Sequence, residues 1–176
     1  MKNFNQIKNL TFASLFVALG LVLPFLTGQI QQIGSMLCPM HIPVLLCGFI
    51  CGWPWGLLVG LVVPLLRSAL FFMPVMFPAA VCMAFELATY GMVSGMLYKK
   101  LPRKTWSIYV SLLGAMVIGR IVWGIAMAIC MGLKGETFAF VAFLAGAVTN
   151  AVPGIILQIV LIPLIVAALE KYKNRG

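Results

Sequence analysis

Six polar residues interrupt an otherwise apolar chain and are the ones with chemistry to offer. Arg67, Glu86 and Arg120 carry charge, while His41, Asn150 and Gln158 carry neutral hydrogen-bonding groups. An ionisable side chain inside a membrane-crossing helix is costly, so it faces a partner or a water-filled cavity and marks function by default. Glu86 can pair with one arginine, which leaves the second positive charge over. A buried charge without compensation is strongly unfavourable, and a bound anionic substrate would relieve it. The competing reading is that these groups join helices. Glu86 would then bond an arginine, Asn150 would bond across a helix contact, and Arg67 would snorkel to the outer surface. Taken as a set, they favour a polar cavity.

Other chemistry is scarce. The chain has one histidine and three acidic residues, few parts for acid–base catalysis. No Walker A, HExxH, GxSxG or glycine-rich nucleotide loop occurs, so the chain does not read as an enzyme and no cofactor is implied. The five cysteines, Cys38, Cys47, Cys51, Cys82 and Cys130, lie in or beside apolar runs and read as packing residues rather than disulfides. Cys47 and Cys51 share a helix face and Cys38 precedes His41 by three residues, but the apolar setting favours packing over a metal site.

The elements that position these groups follow from hydropathy. Of 176 residues, 63% are hydrophobic and 9% charged, against about 25% charged in a soluble domain. Too few charges are present to cover a water-facing surface. Apolar runs long enough for a roughly 30 Å hydrocarbon core recur throughout, and no β-barrel alternation appears, which leaves a helical bundle. The reading is an all-α membrane protein, a single domain over residues 1–176 with six transmembrane helices. The spans fall at about Leu10–Leu26, two shorter helices within Leu37–Phe72, Pro78–Tyr98, Trp106–Gly132 and Phe140–Leu169, the last kinked at Pro153. The cluster Gly52-Trp53-Pro54-Trp55-Gly56 separates the second from the third. The first span continues apolar over Leu21–Leu26 with no cleavage site, so it reads as a mature helix rather than a signal peptide.

Net charge is +9, but its location excludes nucleic acid as the partner. Six spans put Lys2, Lys8, Lys99, Lys100, Arg103, Lys104, Lys171, Lys173 and Arg175 on one side and only Lys134 on the other. That asymmetry makes both termini cytoplasmic. With about 1.5 Å rise per residue, Arg67 lies roughly 7–8 Å below the outer surface and Glu86 roughly 12 Å, with Arg120 and Asn150 near mid-depth. His41 is expected at the outer mouth of the second helix.

At this point the chain resembles the substrate-binding S component of an energy-coupling-factor (ECF) vitamin transporter. The resemblance rests on Met40-His41-Ile42-Pro43-Val44-Leu45-Leu46-Cys47-Gly48, Gly52-Trp53-Pro54-Trp55-Gly56, Pro64-Leu65-Leu66-Arg67-Ser68, Met83-Ala84-Phe85-Glu86-Leu87-Ala88 and Gly119-Arg120. It covers nearly the whole chain. It implies a multi-pass subunit of a bacterial plasma membrane that binds a vitamin or related micronutrient from outside. Release inward would follow docking on a membrane scaffold (T) subunit driven by two ATPases. The family docks through an Ala-xxx-Ala pattern on the first helix, which Ser14 and Ala18 match in spacing, with Ser in place of the first Ala. Expected substrate-binding residues are His41, Arg67, Glu86, Arg120 and Asn150. Surplus positive charge favours pantothenate, whereas Glu86 could read an amine or a guanine-like edge, as in a queuosine precursor, pyridoxine or a thiamine precursor. A stand-alone secondary transporter or channel is the alternative class.

Overall fold

Runs of Leu, Ile, Val, Ala and Met satisfy their backbone groups within helices, which is the only economical solution in lipid for segments that do not close a barrel. The computed structural model describes residues 2–27, 37–102, 104–135 and 151–173, and among them every regular element is helical. Helix α1 spans Lys2–Val22 and tightens into a 3-10 turn over Leu23–Thr27, where Pro24 has no N–H to continue the ladder. Helices α2 (His41–Cys51) and α3 (Trp53–Phe71) are separated by Gly52 alone. Its φ of 92° suits a residue without Cβ. Pro54 then occupies the first turn of α3, where a missing N–H costs nothing. An irregular turn over Met76–Ala80 leads into α4 (Val81–Lys100), followed by α5 (Thr105–Leu133) and α6 (Val152–Lys173).

Five of these helices are long and apolar enough to cross a membrane, and α2 is the exception at 11 residues. A helix of that length rises about 16 Å, half of a hydrocarbon core. The protein is therefore a multi-pass membrane protein with one shorter apolar helix among its described elements. The first helix starts at Lys2 rather than Leu10, because its polar first turns remain helical beyond the apolar span. Of the sixth helix, the expected start at Phe140 and the residue Asn150 lie outside the described residues. Pro153 falls in the first turn of α6 and Pro163 in its interior.

Glycines bring the central helices into backbone contact. A Cβ on Gly91 of α4 would overlap the backbone of Gly56 in α3, and one on Gly60 of α3 would overlap that of Leu87 in α4. Lipid tails are as apolar as leucine, so close packing rather than burial from water holds such helices together. Helix α4 is the hub, with α2, α3 and α5 all packed on it, so its buried positions run around the helix. Outward positions such as Leu58, Val117, Ile125 and Val160 are exposed apolar side chains, as lipid contact requires. All five cysteines are buried and none is disulfide-bonded. Towards the cytoplasmic ends, the Tyr98 hydroxyl of α4 donates to the Glu170 carboxylate of α6. Phe49 of α2 packs edge-on against Tyr98, with ring centroids 5.1 Å apart. Tyr98 thus registers α2, α4 and α6 against one another.

Candidate functional site

Counted outward from that register, His41 lies eight residues above Phe49 and Tyr90 eight above Tyr98, about 12 Å in each helix. The two rings meet there, with centroids 5.2 Å apart and planes at 64°. One turn further out on α4 stands Glu86, 1% exposed. Arg120 reaches it from α5, its Nη1 2.9 Å from Glu86 Oε1, and His41 Nε2 approaches the same oxygen at 3.5 Å. The second Arg120 amino group donates to Cys38 Sγ at 3.7 Å.

The local sequence explains this convergence. Gly119 lies where a Cβ would fall inside the Tyr90 ring, so the glycine lets α5 close on α4 and carry Arg120 to the carboxylate. Cys38 takes a positive φ of 48°, and its carbonyl accepts from the His41 N–H at 3.0 Å. That turn starts α2 at His41, at the level of Tyr90. The N-terminal end of a helix carries partial positive charge, which α2 thereby brings to the vicinity of Glu86. One carboxylate and one guanidinium balance in charge here. Yet both ring nitrogens of His41 and Arg120 Nε are buried and make no aligned hydrogen bond. Each such group forfeits about 1–3 kcal/mol unless something satisfies it. The site can therefore offer an acceptor, a fork of donors and an imidazole to a ligand at once. Among the described residues, no group of three His, Cys, Asp or Glu side chains could hold a metal ion.

The structure brings together His41, Glu86 and Arg120. His41 sits deeper than expected, 3% exposed, because α2 begins inside the bundle rather than at its outer surface. Arg67 does not snorkel and is 3% exposed. Its Nη1 donates to the Leu21 carbonyl at 2.7 Å, and its guanidinium lies over the rings of Phe25 and Phe71, 5.1 and 5.4 Å from their centroids. That carbonyl belongs to the last turn of α1, whose acceptors lose helical partners where Pro24 ends the helix. The surplus charge counted from sequence thus has partners at the end of α1. Asn150 lies outside the described residues. Ser14 and Ala18 are both exposed on α1, and the Ser14 hydroxyl donates to Leu10 O of its own helix at 2.9 Å, which leaves a small, smooth surface. Sequence reasoning missed Tyr90 and Cys38. The first shares a face with Glu86 at four-residue spacing, the only signal for it. The second was visible as a neighbour of His41 but not as a partner of Arg120.

No curated protein and no solved structure matches this chain significantly. The sequence profile of the family described as "ECF transporter, substrate-specific component" matches residues 8–166, well over half of the chain and including every member of the Glu86 cluster. That family is a transporter component rather than an enzyme family, and a bundle of apolar helices with an ion pair at its centre agrees with it. The chain belongs to the substrate-specific components of ECF transporters.

Proposed function

We propose that this chain captures a water-soluble vitamin or related micronutrient from outside the cell and delivers it through a scaffold (T) subunit and two ATPases, with pantothenate as the first candidate. The observation that carries the reading is the Glu86–Arg120 pair, buried at 2.9 Å beside His41 ring nitrogens that lack a hydrogen bond. A ligand bearing both an anionic acceptor and hydroxyl or amide donors answers both halves of that pair. Pantothenate has that pattern, its carboxylate suited to Arg120 and its hydroxyls to Glu86. Relief of the two arginines' surplus charge contributes less to this choice than the residue count suggests, since Arg67 is held by Leu21, Phe25 and Phe71. A ring vitamin is the second reading: a queuosine precursor, pyridoxine or a thiamine precursor. The edge-to-face pair of His41 and Tyr90 favours it, because it offers a planar ligand an aromatic wall next to a carboxylate.

The test is thermal stabilisation of the purified protein by a vitamin panel. A ligand at a hundred times its Kd adds about 2.7 kcal/mol to the folded state. Stabilisation by pantothenate supports the first reading. Stabilisation by a cationic or neutral ring vitamin, with none from pantothenate, replaces it with the second. Unchanged affinity in both Glu86→Ala and Arg120→Ala removes the site itself. Substrate uptake by cells lacking the scaffold and ATPases would instead make the chain a stand-alone transporter.

A further inference from the structure

Two of the five cysteines face each other across a helix boundary, and the ion-pair cluster uses neither. Cys82 is the second residue of α4, and Cys130 lies three residues before the end of α5. Both are reduced and buried, Cys82 completely, whereas Cys130 keeps 7% exposure. Their thiols stand within hydrogen-bonding reach of one another. The antiparallel register of the two helices leads to the same pairing. A Cβ at Gly114 would meet the Leu97 side chain, one at Gly119 would meet the Tyr90 ring, and Arg120 reaches Glu86. Outward from Leu97, α4 takes fifteen residues to Cys82, and outward from Gly114, α5 takes sixteen to Cys130.

Position decides what these thiols meet. Lys99 and Lys100 close α4 at its basic, cytoplasmic end, so Cys82 and Cys130 lie at the opposite, outer end. Thiols outside the membrane meet disulfides and other oxidants, whereas the cytoplasm keeps thiols reduced. The other adjacent pair, Cys47 and Cys51, lies in the inner part of α2 beside Phe49 and Tyr98. A bond there would have to span one turn of a single regular helix. Cys82 and Cys130 carry no such constraint, because they come from two helices that Gly119 already brings into contact. Disulfide geometry asks for Cα atoms about 4.4–6.8 Å apart, a spacing that helices reach where small side chains meet. Lys134 stands one turn beyond Cys130, its Nζ 5.8 Å from the Phe77 ring centroid. It places a positive charge where an anionic disulfide would arrive.

We propose that Cys82 and Cys130 form an external redox staple, a disulfide that joins the outer ends of α4 and α5 when an extracellular disulfide oxidises them. Cys130, the less enclosed of the two, attacks one sulfur of the external disulfide and expels its first half. Cys82 then attacks the Cys130 sulfur of the mixed disulfide and expels the second half. The two cysteine protons end on the two leaving thiolates. The protein loses two electrons, and the external disulfide gains them as two thiols. The new bond lies one turn outward of Glu86, so it fixes the helix pair that carries the Glu86–Arg120 contact. It also closes the chain between residues 82 and 130, which restricts the unfolded state. The staple is independent of which ligand the chain binds.

The test uses the full chain in whole cells, first reduced with dithiothreitol, washed, and then given oxidised glutathione outside. After acid quenching and denaturation, a maleimide of high mass counts the thiols that remain. Three of the five should label, and peptide mapping should find Cys82 joined to Cys130. Reduction before labelling should restore all five. Cys130→Ala should label at its four remaining thiols with or without the oxidant. Five labelled thiols in treated wild type, a bond between any other pair, or oxidation that persists in Cys130→Ala overturns the proposal. Thermal unfolding in detergent reads the mechanical side. The oxidised protein should unfold several degrees above its reduced form, a difference that Cys130→Ala abolishes. An equal or lower midpoint would show that the bond does not hold α4 to α5 and would overturn the staple.

Discussion

Removal of Arg120 should do something quite different from removal of Arg120 and Glu86 together. At 2.9 Å and an effective dielectric constant near 20, the pair attracts with about 6 kcal/mol before desolvation is counted. Desolvation offsets much of that, so the pair as a whole adds little net stability. The loss of one partner is another matter, because the survivor is left buried and charged, at a cost of about 3–5 kcal/mol. Arg120→Met should therefore destabilise the protein by about that amount, and Glu86→Met similarly. The double variant, with two apolar side chains of comparable volume, should return to within about 1 kcal/mol of wild type. Reversible chemical unfolding in micelles, followed by tryptophan fluorescence, supplies the three differences of a double-mutant cycle. Ligand affinity should follow a different course, with all three variants losing it, because the acceptor and the donor fork are both gone in the double variant. Destabilisation in the double variant equal to the sum of the singles would show that the residues do not interact. Recovery of both stability and affinity would show that the pair only joins α4 to α5.

Three further outcomes follow from separate contacts. Gly91→Ala pushes a Cβ into the Gly56 backbone, which no rotamer change can relieve, so it should cost the upper end of the roughly 1–3 kcal/mol of overpacking and lower the yield of monodisperse protein. Arg67→Leu removes the bond to Leu21 O and both ring contacts; unfolding should show a loss of about 2–3 kcal/mol, and Arg67→Lys should recover only part, since an ammonium lacks the planar fork. A leucine at Ser14 or Ala18, both exposed on α1, should abolish co-purification with the scaffold and ATPases while the ligand-induced thermal shift persists; intact co-purification would move the docking surface elsewhere.

Much of the architecture was legible in the residues themselves. The apolar runs predicted the helices, and the glycine–proline cluster located the break that Gly52 makes. The first span was read at Leu10–Leu26, within the apolar stretch Gln6–Leu26, while the helix itself begins at Lys2 because hydropathy marks the apolar part of a helix and not its polar first turns. The shortness of α2 was foreseen, but its depth was not. That depth depends on the left-handed turn at Cys38 and on the level at which Phe49 meets Tyr98, neither of which leaves a periodic signal.

The candidate site divides along the same line. Sequence alone determined that this is a membrane bundle and which residues carry charge inside it, since composition and linear position suffice for both. It could not decide which of two arginines at similar cost belongs to Glu86, because that depends on helix rotation and adjacency. The tertiary structure decided it. Gly119 lets α5 lie against Tyr90, so Arg120 meets the carboxylate, while α3 packs on α1 and commits Arg67 to the end of that helix. The same packing buries His41 at the start of α2 and Gln158 on the inner face of α6. Side chains far apart in sequence become one group only when the helices that carry them are fixed in rotation and register.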